Sequence, residues 1–339
     1  MYKVISLFSG IGGSSLGYKM AGLKVIASNE FIDYQAKNYR LNHKDVKIYK
    51  KDIRLLNPKD VIKDLNLKEG ELDVLDGSPP CASFSISGKR EKLWGKEKKY
   101  SNRKQRTDDL FFEYNRFLKI IQPKVFVAEN VKGLILGKAK GYFRNILIEM
   151  KNCGYNVKVK LMNAKYYNVP QSRERLIFIG VRNDLNIQPS FPKANKKIVP
   201  VKKAFENINN KTFSNVKLTK RTIQLLENTQ QGEDLSKGCK RLYNKNNYYT
   251  HRKLSFNKVS PCILQTIGSP IYHPIEKRRL TIEELKRLTT FPDDYKLEGT
   301  YNQKWEGCAR AVPPLMMKAV AENIKINILD KYHNEVKNK

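Results

Sequence analysis

A glycine-rich turn between a short apolar strand and a helix constrains the fold of this chain most strongly. The run Val4–Phe8 predicts a strand, Ser9–Gly13 a tight turn and Ser14–Ala21 a helix. Glycine adopts positive φ at no steric cost and lets a ligand approach the backbone. This order opens a nucleotide-binding α/β sheet. No Gly-Lys-Ser/Thr follows, and Ser15 replaces the third glycine of GxGxxG, so neither standard phosphate motif is complete.

Strand and helix signals continue to alternate, which predicts a Rossmann-like α/β sheet whose ligands bind at the carboxyl ends of its strands. Further strands are predicted at Lys24–Ser28, Val46–Tyr49, Leu72–Leu75, Val125–Ala128, Val157–Met162 and Leu176–Val181, the last two antiparallel. Helices are predicted at Tyr34–Asn42, from an Asp108-Asp109 cap to Ile120, and at Phe143–Lys151.

Several polar side chains follow these strands. Glu30 at the tip of the second strand is placed to accept hydrogen bonds from a ribose, although a helix N-terminal charge is an equally good interpretation. Asp52 could bind an adenine amino group, with Ile53 packing on the ring. Glu129 follows another strand and is predicted to share its sheet edge with Cys81.

The stretch Asp76–Gly88, DGSPPCASFSISG, carries the main candidate nucleophile, Cys81. Two prolines remove backbone donors, so the chain must leave the sheet there. A polar setting near basic groups lowers the pKa of a thiol and makes it nucleophilic. The alternative is an inert, buried cysteine.

Basic residues dominate the chain, with Lys+Arg 65 against Asp+Glu 33 and a net charge of +32. That excess favours a nucleic-acid partner, although a lysine-rich solvated surface is the alternative. The segment Lys89–Arg106, with Trp94 and Tyr100 interleaved, lacks apolar periodicity and is predicted to be a long mobile loop that contacts phosphates and bases.

The second half of the chain contains a motif with two arginines, after which the alternation of strand and helix signals fades. In Val169–Arg175, alternation predicts Gln171, Arg173 and Arg175 on one side. The predicted domains are 1–182, completed by 305–332, for catalysis and cofactor binding; 183–278, smaller and mostly irregular or β; and 279–304 as a connection with a short helix. Thr281 and Glu284 form a capping box there. A last helix is predicted at Leu315–Leu329, followed by a frayed tail.

Cysteine spacing and hydropathy exclude other classes. The five cysteines are not at metal-ligand spacing, so no metal is expected. We expect no membrane span and no signal peptide, and a cytoplasmic, monomeric protein associated with DNA.

Six segments in this order resemble the DNA (cytosine-5) methyltransferase family, of the prokaryotic restriction-modification type. They are Phe8–Gly13, Pro80–Gly88, Glu129–Val131, Gln171–Arg175, Arg279–Pro292 and Ala311–Pro314. Departures from the family pattern are Ser6 in place of Asp, Pro79 in place of Phe, Ala82 in place of Gln, and Ala309-Arg310 in place of Gly-Asn.

The resemblance implies methyl transfer from S-adenosylmethionine, with S-adenosylhomocysteine as product, to carbon-5 of a cytosine flipped out of a specific double-stranded DNA site. Cys81 would add to carbon-6, Glu129 would hold ring nitrogen 3 and the amine, Arg175 the ring carbonyl, and Arg173 would position Cys81. The implied cofactor contacts are Phe8, Ser9, Gly10, Ile11, Gly12, Gly13, Glu30, Asp52, Ile53, Pro80, Leu110, Arg310, Ala311 and Val312. The implied DNA contacts are Ser85, Ser87, Lys89, Arg90 and Gln171.

A cognate restriction endonuclease acting on the same site is a possible partner. The alternatives are a transfer-RNA cytosine-5 methyltransferase, a catalytically silent DNA-binding paralogue, and a nicotinamide dehydrogenase. The first carries a Cys-Phe-Thr signature that is absent here, and the last leaves Cys81, Glu129 and the basic region unexplained.

Overall fold

A computed structural model describes residues 1–80, 109–137, 139–208, 212–214, 217–265 and 270–337, and the backbone of 98–100 and 103–105. The chain divides into two compact units. The first comprises Met1–Met162, Glu174–Lys193 and Met316–Lys339, and the second Asn163–Arg173 and Ala194–Leu315. These bounds differ from the predicted domains. The predicted catalytic segment 1–182 loses 163–173 to the second unit, and the predicted connection 279–304 lies wholly within that unit.

A seven-stranded sheet in the order β3-β2-β1-β4-β7-β9-β8 organises the first unit. The strands β3, β2, β1, β4 and β7 pair in parallel, and β9 runs antiparallel to β7. The mixed α/β prediction is confirmed. The bounds are β1 Lys3–Leu7, β2 Lys24–Asn29, β3 Lys47–Tyr49, β4 Val74–Gly77, β5 Lys98–Tyr100, β6 Arg103–Gln105, β7 Val125–Val131, β8 Tyr155–Asn163, β9 Glu174–Arg182, β10 Arg252–Lys253 and β11 Ile271–Tyr272.

Helices follow most strands. Their bounds are α1 Gly13–Met20, α2 Asp33–Asn42, α3 Pro58–Asp64, α4 Leu110–Ile121, α5 Ala139–Asn152, α6 Val201–Phe205, α7 Lys220–Glu227, α8 Leu235–Tyr243, α9 Ile282–Leu288, α10 Tyr301–Arg310, α11 Pro314–Ile324 and α12 Asp330–Lys337. A π-helical segment, Lys325–Leu329, joins the last two. None of the helices in the described part of the chain could cross a lipid bilayer.

The core of the first unit is aromatic where α4 packs on the sheet. Tyr114, Phe111, Phe126 and Phe178 are fully buried, with ring centroids 5.5–6.2 Å apart between neighbours. Tilted and edge-on rings at this spacing add to the free energy gained by burying their area. This packing holds β4 and β7 rigidly, and their carboxyl ends carry candidate site residues.

Four expectations need correction. The segment 89–106 contains the antiparallel pair β5–β6. Cross-strand pairs can stabilise two strands even where the sequence does not alternate between apolar and polar residues. The described part of 183–278 is irregular as expected, but its regular elements are mainly the helices α6, α7 and α8 rather than strands. Asp109 precedes α4 without a side-chain capping bond, because its carboxylate binds Arg54. The tail after Asp330 is helical to Lys337.

Candidate active site

The glycine turn is built as the sequence predicts. Phe8, Gly10 and Gly12 have positive φ values of 54°, 57° and 96°. The Ser9 amide donates to the Asn29 carbonyl oxygen at 3.0 Å, and the Gly12 amide donates to the Ser9 carbonyl oxygen at 2.9 Å. These bonds anchor the turn to the end of β2. Ile11 lies buried in the turn, and Gly13 begins α1.

Glu30 lies directly beside this turn. Its carboxylate oxygens accept hydrogen bonds from the Gly10 and Ile32 amides, each at 2.7 Å. The carboxylate therefore joins the end of β2 to the glycine turn, where a cofactor of the predicted kind would lie. A ribose contact stays a prediction.

Asp52 and Leu110 are linked through one arginine. Asp52 accepts a hydrogen bond from the Arg54 amide at 3.0 Å and pairs with its guanidinium at 3.1 Å. Arg54 also pairs with Asp109 at 2.7 Å, immediately before Leu110 begins α4. The side chains of Ile53 and Leu110 are buried in the core of the unit. Asp52 thus has a cation partner that the sequence did not indicate, and the adenine contact stays a prediction.

The carboxyl end of β4 leads to the candidate nucleophile. After Gly77, the Ser78 amide donates to the Leu7 carbonyl oxygen at 3.3 Å, and the Asn130 side-chain amide donates to the Pro79 carbonyl oxygen at 3.4 Å. Pro80 ends this described segment. Cys81, and with it Ser85, Ser87, Lys89 and Arg90, lies outside the described residues.

Glu129 and Arg175 form an ion pair with 2.7 Å between Oε1 and Nε. Their side chains are only 12% and 13% exposed, so the pair is largely removed from solvent screening. The antiparallel register sets Arg175 opposite Val131 and Ile177 opposite Glu129. The two predicted site residues therefore meet at the end of β7, one strand away from β4.

Arg173 and Gln171 belong to the second unit, whereas Arg175 belongs to the first. A common side for the three side chains stays a prediction. The strand β9 begins only at Glu174, so strand alternation does not extend back to them. Arg173 donates from Nη2 to the Arg310 carbonyl oxygen at 3.1 Å.

Gln171 is buried, and its side chain is engaged within the second unit. Its Nε2 donates to the Leu288 carbonyl oxygen at 3.4 Å, and its Oε1 accepts from the Ile263 amide at 3.3 Å. The DNA contact of Gln171 stays a prediction.

Arg310 ends α10, and Ala311 and Val312 follow it. Its guanidinium pairs with Glu306 at 2.6 Å and donates to the Gln265 side-chain oxygen at 2.8 Å. Glu306 lies one helical turn earlier, and the pairing of Arg310 with a cofactor carboxylate stays a prediction.

Asp76 is a buried acid that sequence reasoning did not single out. It is 1% exposed and accepts hydrogen bonds from Ser6 Oγ at 2.7 Å and the Tyr18 hydroxyl at 3.3 Å. Burial, with a smaller contribution from the neighbouring Glu129 carboxylate, raises the pKa of Asp76 to about 7. The signal available in the sequence was an acid within an apolar strand, three residues before the first of two prolines.

Within the described ranges, no group of three or more His, Cys, Asp or Glu side chains could hold a metal ion.

Comparison with known proteins gives consistent results. Residues 2–326 match the family model described as C-5 cytosine-specific DNA methylase. The chain is 32% identical to the Type II methyltransferase M.NgoFVII of Neisseria gonorrhoeae over 97% of this chain and 88% of that protein. It is 31% identical to the Type II methyltransferase M.Eco47II of Escherichia coli over 98% of this chain and 80% of that protein. Among solved structures, an Escherichia coli prophage protein described as a DNA modification methyltransferase is similar with a TM-score of 0.76, 20% identity and coverage of 97% and 100%.

Proposed function

This chain belongs to the C-5 cytosine-specific DNA methylase family and is a DNA (cytosine-5-)-methyltransferase, and from that premise we propose its mechanism. It transfers a methyl group from S-adenosylmethionine to carbon-5 of a cytosine that has been flipped out of double-stranded DNA. Cys81 forms a transient bond to carbon-6, which makes carbon-5 nucleophilic. The bond between Cys81 and carbon-6 breaks when a base removes the carbon-5 proton, and the thiolate is released.

The glycine turn fits a nucleoside cofactor. Gly10 has positive φ, and a Cβ built there would lie 3.1 Å from the Gln35 side-chain oxygen, so the turn admits no side chain without adjustment. Glu30, fixed beside the turn by two amides, supplies a carboxylate for ribose hydroxyls. S-adenosylmethionine would supply the electrophilic methyl group there.

The Glu129–Arg175 pair supports the base-binding role most directly. In the proposed complex, Glu129 contacts ring nitrogen 3 and the amine of cytosine, while Arg175 donates to the ring carbonyl. A carboxylate already held by a guanidinium is pre-organised, so little rearrangement accompanies substrate binding. Asn130, next to Glu129, donates to the Pro79 carbonyl oxygen and so holds the turn that leads to Cys81.

The second unit offers a basic and aromatic surface for DNA. Arg221 on α7 lies 5.3 Å from the ring centroid of Tyr243 and 5.7 Å from that of Tyr248. In the part of the chain that is described, no carboxylate pairs with Arg221, so its charge is available to a phosphate or a guanine edge. Exposed lysines on the same unit are Lys217, Lys220, Lys240 and Lys245.

Arg221→Ala is expected to weaken DNA binding and to flatten the dependence of affinity on salt, because one phosphate contact is lost. Arg241→Ala is the matched control, since that guanidinium already pairs with Glu233 at 2.7 Å. Equal effects of the two substitutions would argue against this surface.

Cys81→Ala tests the proposed mechanism. It should abolish methyl transfer and the covalent adduct with duplex DNA containing 5-fluorocytosine, while DNA binding persists. Cys153→Ala is the control, because burial raises the pKa of that thiol and makes it a poor nucleophile. An adduct formed by the Cys81→Ala protein would refute the assignment.

The substrate is tested by comparing labelled methyl transfer into duplex DNA and into transfer RNA. Transfer into RNA alone would overturn the proposal for DNA, and DNA binding without transfer would indicate a silent paralogue. Because the relatives are named Type II methyltransferases, we also propose that the modified site is one that a cognate restriction endonuclease cleaves. Sequencing that resolves methylated cytosines in host DNA would identify this site.

A further inference from the structure

A buried carboxyl joins the two turns that border the candidate site of the first unit. Ser6 and Asp76 are direct partners in the parallel register of β1 and β4, and both are at most 1% exposed. Ser6 Oγ donates to Oδ2 of Asp76 at 2.7 Å, and the Tyr18 hydroxyl of α1 donates to Oδ1 at 3.3 Å. One carboxyl thus binds the strand and the helix on either side of the glycine turn.

Burial of this carboxyl is costly, which points to a purpose beyond packing. No cation pairs with Asp76 in the described ranges, and its only hydrogen-bond donors there are two hydroxyl groups. A carboxyl in such surroundings is destabilised unless its partners are well placed. Apolar residues would fill the same volume at lower cost.

The position of Asp76 explains why an acid is kept there. It is followed by Gly77, where an added Cβ would lie 2.6 Å from the Tyr114 ring, and then by the turn Ser78–Pro80. Ser78 and Leu7, the neighbours of this pair toward the carboxyl edge, are joined by a backbone bond of 3.3 Å. The Ser6–Asp76 contact is therefore the last side-chain link between β1 and β4 before each strand enters its turn.

From this geometry we infer that Asp76 is a positioning residue that fixes the glycine turn against the turn leading to Cys81. The inference rests on the proposed function for its consequence, which is affinity for S-adenosylmethionine. The link between the two turns is a property of the folded chain itself.

An exchange of the two side chains tests this inference. Asp76→Ser leaves a hydroxyl group at each of the two positions and no carboxyl. Ser6→Asp places two carboxyls in contact, and these cannot both be ionised. Each single variant should lower the affinity for S-adenosylmethionine about tenfold or more and lower the melting temperature, as expected for loss of the hydrogen bonds to a buried carboxyl. The double variant Ser6→Asp/Asp76→Ser keeps one carboxyl and one hydroxyl and should return the affinity to within about threefold of the wild type.

The readouts are calorimetric titration with S-adenosylmethionine and thermal unfolding of the full chain. Asp73→Ser is the control: it removes a carboxyl at the opposite end of β4 that pairs with Lys124 at 2.7 Å, and should change stability without lowering cofactor affinity tenfold. An exchange variant that stays as impaired as Asp76→Ser, in affinity or in folding, would overturn the inference. If the wild type itself does not bind S-adenosylmethionine, the proposed function is wrong. Recovery of the melting temperature by the double variant would still decide whether the carboxyl links the two turns.

Discussion

Replacing Asp76 by asparagine should change how the stability of this protein depends on pH. Burial raises the pKa of Asp76 to about 7 in the folded chain, against about 3.9 for an unfolded aspartate. The groups that face it are the donors Ser6 and Tyr18, the Glu129 carboxylate and the Tyr114 phenol, and burial raises the pKa of both phenols, so neither carries charge near neutrality. The two phenols therefore stay neutral while Asp76 is titrated between these two values.

The sign follows from proton linkage. A carboxyl whose folded pKa lies above its unfolded value binds more protons in the folded state, so its contribution is fully present at low pH. That contribution is lost as pH rises from about 4 through about 7. With these values, the free energy of unfolding falls by roughly 2.5 kcal/mol between about pH 5 and about pH 8 because of this group alone.

The Asp76→Asn variant lacks this titration. Urea-induced unfolding of the wild type and the variant, followed by far-ultraviolet circular dichroism across this pH range, should therefore give stability curves that are not parallel. Between about pH 5 and about pH 8, the free energy of unfolding of the variant should rise by roughly 2.5 kcal/mol relative to that of the wild type. The Asp73→Asn variant retains Asp76, so its free energy of unfolding should still fall as pH rises over this range. Parallel curves for wild type and Asp76→Asn would refute the assignment of a buried, protonated carboxyl at this position.

Two further predictions concern packing and pairing. Arg175→Ala should destabilise the chain by about 3 kcal/mol, because it leaves the nearly buried Glu129 carboxylate without this cation; an unchanged urea midpoint would show that the pair adds nothing. Gly238→Ala should cost about 1–3 kcal/mol, since a Cβ there would overlap the Thr229 side chain, just after the end of α7. Gly141→Ala, where a Cβ meets nothing within 4 Å, should instead raise stability by about 0.5–1 kcal/mol in the same assay; the reverse order would contradict this account.

The parts of the fold that depend on local chemistry could be predicted from the sequence. Positive φ at Gly10 and Gly12 follows from the residue type, and the capping box of Thr281 and Glu284 is present as predicted. A second box at Thr300 and Gln303 starts α10 and was equally visible, but lay in a region judged to be a connection. Such signals are local because the partner atoms are at most three residues apart.

Contacts that depend on register could not be predicted in this way. The pairing of Ser6 with Asp76 joins residues 70 positions apart, and it exists because β4 inserts beside β1 with one particular alignment. A shift of one residue would send the Asp76 side chain to the other face of the sheet. An acid within an apolar strand could be recognised from the sequence, but its partners could not.

The two arginines of the Gln171–Arg175 motif show why an alternating pattern can mislead. Alternation made Arg173 and Arg175 equivalent, yet one donates to the Arg310 carbonyl oxygen within the second unit and the other pairs with Glu129 across the β7–β9 register. The backbone between them enters β9 at Glu174, and a period of two residues describes side-chain direction only inside a strand. Arg173 precedes that point, so its direction is set by the second unit to which it belongs. Residues at equal spacing share a face only where the strand that imposes the spacing has already begun.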